Sequence, residues 1–517
     1  MFDKWFKAPV HDVLHYIGAL ILVVGLPMNK VLMSTGTIWL AANLLIKADF
    51  KNYFSRLKSS TIALLVLIIF LIHLIGLSYT TDMNYALHDI NSKLPFFVLP
   101  IVLIAFPIHK SFYKDVLLAF VTVVVLTSVT NVILFNFGAT ESPEDIRYLS
   151  QFGSHIRYGV LVLFAVVITT YYVVKDAQTL TRFLLLSVLV WLLFYTLYAQ
   201  VITAYFNLIA LILAALFLII LRIRKPLLKY SATTILGATV VLLTTFLVDY
   251  LRPDFIEIDK TTLEEHTALG NKYEHLVEHK ITENGTPIML YICDYELEKE
   301  WLKHSEIAYY GYDNKGQLLR GTLFRYMSSM GLRKDAEGFG HLSAEDITNI
   351  ENGIPSQRIA KSLFIERLEG LRLQVQNYYL GADPSGHSLL QRIEHWRAAI
   401  HIINNHFYFG VGTGDAPMAF NTSYDEISSN LHSDYRHRSH NQFLAFWVSF
   451  GIIGIMSLLL LNAAIFRHTS VSKNYLYVFF GVLLFLSFLP EDTLETQQGA
   501  TFIGFFLGFL HKKNTSY

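Results

Sequence analysis

The sequence predicts an all-α polytopic membrane protein of about twelve transmembrane helices, with a large mixed α/β loop domain inserted before the tenth. Three observations predict it. Of 517 residues, 53% are hydrophobic and only 16% are charged, less charge than a soluble chain of this length carries. Mean hydropathy is positive, at +0.41. Polar and apolar residues are also segregated: one long polar stretch, about 250–440, separates two sets of apolar runs. The domain plan is therefore 1–249 for nine helices, 250–440 for the loop domain and 441–517 for three more helices.

A spanning helix needs roughly 20 mainly apolar residues, fewer where aromatics or lysines anchor its ends. Runs of this kind lie at about 12–28, 31–47, 60–78, 94–109, 114–137, 156–174, 182–199, 201–221, 230–249, 441–465, 474–490 and 499–511. The apolar stretch Leu184–Ile220 is too long for one span and reads as two helices joined by a tight turn at Tyr198-Ala-Gln200. Met1 to Asp12 is polar and Lys-bearing, and the apolar run after it lacks a small-residue cleavage site. No cleavable signal peptide is expected.

Orientation follows from Lys/Arg bias. With the N-terminus inside, the inner segments carry Lys4, Lys7, Lys47, Lys51, Arg56 and Lys58, then Lys110, Lys114, Lys175, Arg182 and the Arg222–Lys229 cluster, and finally Arg467, Lys473, Lys512 and Lys513. The short outer segments carry Lys30, Lys93, Arg147 and Arg157, with acidic runs at Glu141–Asp145 and Glu491–Glu495. Both termini are expected inside and Asp249–Ser439 outside.

That outer segment mixes aromatics with charges and has a turn signal at Gly311–Gly316. Ser343 and Asp346 form a capping-box pattern that opens a short helix. Leu389, Ile393, Trp396, Ile400 and Ile403 recur at helical spacing, so 388–405 reads as an amphipathic helix with Ser388 as its N-cap.

Several residues could carry chemistry. His440-Asn441 stands where the polar segment meets the apolar run Phe443–Leu461, and histidine suits proton transfer near neutral pH. Gly451 and Gly454, further into that run, would let the helix pack closely on others. Arg392 lies on the first turn of the amphipathic helix. Gly410-Val-Gly412-Thr-Gly414 follows that helix and is either a Gly cap and loop or a bare-amide anion cradle. Arg157 sits at the outer mouth of the sixth span, either as a snorkelling anchor or, being on the disfavoured side, as a functional cation. His432, Asp434, His437 and His440 cluster with Arg436 and Arg438. The cluster reads as a basic lip for a phosphate-bearing headgroup rather than a metal site, since no helix aligns the histidines and no thiolate is near. His395, His401 and His406 read as surface residues. Cys293 is the only cysteine, so no internal disulfide forms. Zero formal net charge gives no case for nucleic acid.

His440-Asn441-x9-Gly451-x2-Gly454 resembles the signature of the O-antigen ligase/polymerase superfamily of bacterial envelope glycan enzymes. Arg392-Ile-Glu-His-Trp396 and the glycine loop that follows look like the segment preceding that signature in the family, and Gly311–Gly321 looks like the loop of Bacteroidetes-type members. The resemblance implies a metal-independent enzyme of the inner membrane, with no cofactor and a periplasmic loop domain. It would move a glycan from undecaprenyl pyrophosphate to an acceptor hydroxyl, on lipid A-core for a ligase, or on another glycan or a protein for related members. It implies His440, Arg392 and Arg157 as catalytic, with Arg438, Asn441, His437, Trp396, Gly412 and Gly414 in substrate binding. Two positions depart from the family pattern. Arg438 stands where many members have a first histidine, and Ile202–Asn207 lacks an arginine common at the start of the eighth helix.

The chemistry is coherent on its own terms. Arginines can neutralise a departing pyrophosphate, a histidine can take the acceptor proton, and one displacement inverts the anomeric carbon. A lipid-linked glycan flippase is the competing class. Nine helices before the loop against three after it show none of the repeat symmetry that alternating access uses. A sugar-binding receptor without catalysis is a third reading, in which His440 is dispensable.

Overall fold

The apolar runs are helices, in the order that hydropathy predicts. The computed structural model describes residues 9–138, 146–175, 178–252, 257–357, 363–472 and 474–511. Lys4, Lys7, Glu141–Asp145, Lys473, Lys512, Lys513 and the Arg147 side chain lie outside that description. The helices of the first half are α1 (Val10–Met28), α2 (Lys30–Lys47), α3 (Phe50–Lys58), α4 (Thr61–Gly76), α5 (Met83–Ala105), α6 (Lys110–Phe137), α7 (His155–Lys175), α8 (Thr179–Tyr198), α9 (Ile202–Leu221) and α10 (Pro226–Leu251). The turn between α8 and α9 falls where expected, with Gln200 in the left-handed region at φ 52°. After the outer segment come α18 (Gln442–Ser472), α19 (Tyr475–Ser487) and α20 (Gln497–Phe509).

Among the described residues, eight helices are long and apolar enough to cross a membrane, and a ninth span results if α2 and α3, bent by 118°, count together. Helices α4 and α19 are apolar but shorter, and α20 has only 13 residues. The short α3 was not anticipated; Ala48, at φ 54°, ends α2 and turns the chain into it. Loops expected on one side meet one another. Gln498 Nε2 donates to the Leu26 carbonyl, and Asp415 accepts from the Thr81 and Asp82 amides. At the other end, Ser60 bonds His511, and Asn474 donates to the Leu510 carbonyl.

Two compact units are present. The first comprises Met1–Leu236, Arg392–Ser429 and Arg436–Tyr517; the second comprises Gly237–Gln391 and Asn430–Tyr435. The second unit contains α11 (Asp294–Trp301), α12 (Leu319–Ser329), α13 (Ala336–Phe339), α14 (Ala344–Glu351) and α15 (Leu363–Tyr379), with one hairpin, β1 (Thr282–Glu283) and β2 (Thr286–Pro287). The expected mixed α/β domain is therefore a helical one. Alternation in these loops is too short to build a sheet, and buried Trp301, Tyr309, Phe324 and Tyr326 gather the helices instead. The predicted capping box at Ser343 and Asp346 is present in full.

Helix α16 (Ser388–Asn405) takes Ser388 into its first turn rather than leaving it outside as a cap. Its buried face only partly coincides with the apolar stripe, of which Ile403 is buried and Leu389, Ile393 and Trp396 are half-buried. Glu394, His395, Ala398, Ala399, Ile402 and Ile403 are buried, while Ile400 is 51% exposed. Helix α17 (Ala416–Glu426) follows the glycine loop.

Helix α18 is broken at Gly451, whose φ 61° and ψ −154° are not helical. The loop after α16 enters the break. Val411 and Gly412 amides donate to the Val448 and Ser449 carbonyls, and the Ile452 amide donates to the Phe407 carbonyl. These bonds replace those the helix has lost. A Cβ on Gly451 would lie 2.2 Å from the Tyr408 carbonyl carbon, and one on Gly454 would lie 2.5 Å from the Phe446 oxygen. The expectation that these glycines serve packing against other helices is thus replaced: Gly451 admits the loop backbone into the helix, and Gly454 lets the two halves of α18 approach each other at the break. Close helix packing does occur on α20, where a Cβ on Gly504 would lie 2.6 Å from the Pro95 oxygen and one on Gly508 would lie 2.9 Å from Pro100 Cα.

Gly451→Ala should cost on the order of 3 kcal/mol or more, because it combines a Gly-only backbone with a backbone clash. Gly237→Ala, on α10 with open space around it, should be neutral or slightly stabilising. Thermal unfolding of the two variants in detergent checks the contrast; equal melting temperatures would refute it.

Candidate functional site

The segment between α19 and α20 points three carboxylates inward. The side chains of Glu491, Asp492 and Glu495 are only 8%, 3% and 6% exposed. Charges this buried persist only when paired. Glu495 takes the most partners. Its Oε2 lies 2.8 Å from Lys93 Nζ on α5 and 2.9 Å from a guanidinium nitrogen of Arg438. Its Oε1 accepts from Gln442 Nε2 at 3.0 Å, and Gln442 in turn accepts from the Leu494 amide. Lys93 also bridges to Asp89 at 2.7 Å. Burial pushes Glu495 up, but Lys93 and Arg438 outweigh it and hold the carboxyl well below its ordinary 4.5. Asp492 is held low in the same way, by His440 and Arg438 against the effect of burial.

His440 adopts a left-handed backbone, φ 46°, which histidine tolerates better than most residues. This turn aims Nδ1 at the carboxylates, 3.7 Å from Asp492 Oδ1 and 4.0 Å from Glu491 Oε2. The next residue, Asn441, caps α18: its Oδ1 accepts from the Leu444 amide at 3.0 Å and its Nδ2 donates to the Leu489 carbonyl. Each end of the amide makes one bond, and the cap fixes the backbone beside His440.

His440 opens on a cavity of about 340 Å3, lined also by Tyr85, Arg157, Arg436, His437, Arg438 and Asp492. The sequence thus foresaw His440, His437, Arg438 and Arg157 in one place. Arg157 comes from the first turn of α7. Its only ion pair among the described residues is a loose one to Glu491 at 3.8 Å, and its Nε is buried without a hydrogen-bond partner. Arg392 stands behind the cavity wall: Nε donates to the Pro490 carbonyl and a terminal nitrogen lies 3.1 Å from Glu491 Oε1. Arg438 lines the cavity but is gripped by Glu495 and, at 3.7 Å, by Asp492. Burial lowers its pKa, but those carboxylates outweigh burial and raise it, so it stays charged. His437, on the rim, is shifted down by partial burial and by the charges of His440 and Arg438.

Other expectations change. Gly412 and Gly414 do not offer bare amides: Gly412 donates to Ser449, Thr413 to the Gly76 carbonyl and Gly414 to Thr80 Oγ1. The glycine loop is a clasp between α4 and α18, not an anion cradle. Trp396 is half-buried, with an indole N–H that finds no partner among the described residues. It lines neither this cavity nor the larger one beside it. His395, read as a surface residue, is 1% exposed, and its ring lies 5.2 Å from that of His440. His432 and Asp434 belong to the second unit, where they face each other at 3.5 Å.

The donor atoms of His440, Glu491 and Asp492 lie within 4.8 Å of one another, close enough to hold a cation. The same two carboxylates, however, already face Arg157, Arg392 and Arg438. A divalent ion would compete there with fixed positive charge.

Glu495→Gln should leave Lys93 with Asp89 alone and Arg438 with Asp492 alone, and destabilise the fold by about 1–3 kcal/mol. A depressed carboxyl stabilises the fold above its unfolded pKa and loses that contribution as pH falls through its folded pKa. Glu495 of the wild-type protein should therefore contribute fully above about pH 4.5 and progressively less as pH falls below it. Thermal melts of both proteins between pH 8 and pH 5 check this: a gap in melting temperature between them that narrows across that window would contradict it.

A family model described as O-antigen ligase matches residues 188–459. No curated protein matches the chain. The matched region runs from within α8 into α18 and includes Arg392, His440 and the break at Gly451. Arg157 and the three carboxylates lie outside it. The match spans more than half of the 517 residues, and the helical architecture agrees with it: the chain belongs to the O-antigen ligase family, whose members are membrane glycosyltransferases acting on lipid-linked glycans.

Proposed function

We propose that this protein is an O-antigen ligase of the bacterial inner membrane. It would transfer a glycan from undecaprenyl pyrophosphate to a hydroxyl of lipid A-core at the periplasmic face, with both termini cytoplasmic. One observation carries the reading: in a chain of this family, His440 and the loosely paired Arg157 face the same 340 Å3 cavity. The acceptor oxygen attacks the anomeric carbon while the carbon–oxygen bond to pyrophosphate breaks. The acceptor proton passes to His440, whose Nδ1 faces Asp492 and leaves Nε2 for the exchange. Asp492 holds the ring and stabilises the imidazolium that forms. Arg157 contacts the departing pyrophosphate directly. Arg392 acts through Glu491, drawing that carboxylate away so that Arg157 can turn to the phosphates. Arg438 is a positioning residue. The step needs no metal, and a single displacement inverts the anomeric centre. All twelve apolar helices cross or enter the bilayer on this reading.

His440→Asn keeps the left-handed backbone accessible but removes the base. It should slow transfer on the order of 100- to 10,000-fold, with normal protein abundance. Arg157→Lys should also fail, since lysine keeps the charge but loses the planar fork. Purified protein in lipid, with an undecaprenyl-pyrophosphate-linked donor and lipid A-core, tests both, and EDTA should leave the wild-type rate intact. Near-normal turnover by His440→Asn would remove the catalytic assignment.

In a deletion strain, lipopolysaccharide should lose all long-chain bands while glycan accumulates on its lipid carrier. Core bearing one repeat unit would point instead to a polymerase. A complementing copy with a periplasm-only reporter inserted after Gly316, in an exposed turn with open space around it, should be active in reporter and rescue; a silent reporter in a rescuing copy would overturn the orientation.

A further inference from the structure

Beside the His440 cavity lies a larger one, of about 620 Å3. It is formed by the α1–α2 turn, one face of α5, the segment leading into α7 and the start of α20. The two cavities share Arg157. Their linings differ in kind. The His440 cavity is lined by arginines and histidines. In the larger one neutral amides and hydroxyls, including Asn29, Ser34, Asn91, Ser92, Gln497 and Gln498, are the most numerous groups, beside the charged Lys30, Arg157 and Glu495 and the apolar Leu26, Ile38, Leu94 and Pro95. Much of their bonding capacity is open. Among the described residues, the Asn91 and Ser92 side chains make no hydrogen bond. Gln497 and Gln498 use their amide nitrogens, on Ser34 and the Leu26 carbonyl, and keep their oxygens. Met33 and Phe152 supply apolar wall between these groups.

This lining discriminates among ligands. A phosphate site would be lined chiefly by cations and a polyprenyl site chiefly by apolar side chains; here neutral donors and acceptors outnumber each. Neutral groups that both donate and accept match hydroxyls, which do the same, and an apolar wall matches the C–H faces of a sugar ring. The volume lies within the roughly 300–1,000 Å3 typical of small-molecule sites. We infer that this second cavity is a carbohydrate subsite, holding sugar residues that extend from the reacting bond at Arg157 and His440. The inference rests on the transferase reading for its position but not for its ligand chemistry. The sugars belong to the donor glycan or to the acceptor core.

The test uses the full chain in lipid nanodiscs and two variants. Asn91→Ala combined with Ser92→Ala removes two groups that make no internal bond, so the fold is spared. Asn91→Trp fills the cavity instead. The binding probe is the free oligosaccharide released by mild acid from the source strain's lipopolysaccharide, followed by saturation-transfer NMR. The double variant should bind it roughly tenfold more weakly, as expected for two lost neutral hydrogen bonds, and the tryptophan variant should not bind it. In turnover, KM should rise about as much with kcat unchanged. A rise for a full-repeat donor but not a one-sugar donor assigns the donor's sugars; a rise for the acceptor alone assigns the core. Unchanged oligosaccharide binding by both variants would overturn the inference. So would a loss confined to sugar-free undecaprenyl pyrophosphate, which would mark a lipid or phosphate site. If the wild type binds oligosaccharide in a tryptophan-sensitive way yet transfers nothing, the subsite stands and the ligase reading falls.

Discussion

Glu495 is the charge on which the arrangement of the site depends. One carboxylate ties Lys93 of α5, Arg438 before α18, Gln442 of α18 and the loop preceding α20. These come from three parts of the chain, the first more than 300 residues before the other two. An ion cluster in a bundle interior is costly to desolvate, so its gain is less in stability than in uniqueness. The partners of Glu495 can all be satisfied in one register only, and that register sets Asp492 beside His440. The close packing of Gly504 and Gly508 on α5 holds the same loop from the membrane side.

The cluster also sets the electrostatic character of the site. Lys93, Arg157, Arg392 and Arg438 face Asp89, Glu491, Asp492 and Glu495, so the cations come matched with carboxylates. A site of unpaired arginines would grip any anion, including the headgroups that crowd a membrane surface. A matched one yields only to a ligand that can offer better geometry than the resident carboxylates. Arg157, with the loosest pairing, is where such an exchange costs least.

Hydropathy made the helices legible, because bilayer thickness and backbone bonding leave few alternatives for an apolar run. The left-handed turn at Gln200 and the capping box at Ser343 were legible from local chemistry. The carboxylates at 491–495 were visible but counted only as loop charge, since orientation rules treat charges as a tally and ignore where a side chain points. Lys93 was missed for the same reason. His395 does not stand out in the sequence, because it lies beside the apolar stripe of α16 rather than on it. In a membrane protein an apolar face can equally look outward to lipid, and α16 buries Glu394 and His395 while leaving Ile400 exposed. Asn441 and Gly451 stood out as a pair of motif positions, yet spacing alone could not separate a ligand from a cap, or a packing glycine from a break.

The break in α18 bears on the order in which the chain is made. The carbonyls and amide freed at Val448, Ser449 and Ile452 are met by Phe407, Val411 and Gly412, and the clasp is tied to α4 through Gly76 and Thr80. Every one of those partners is earlier in the chain than α18. Synthesis therefore delivers the receptor before the element that needs it, and α18 never has to rest in lipid with its opened backbone unmatched.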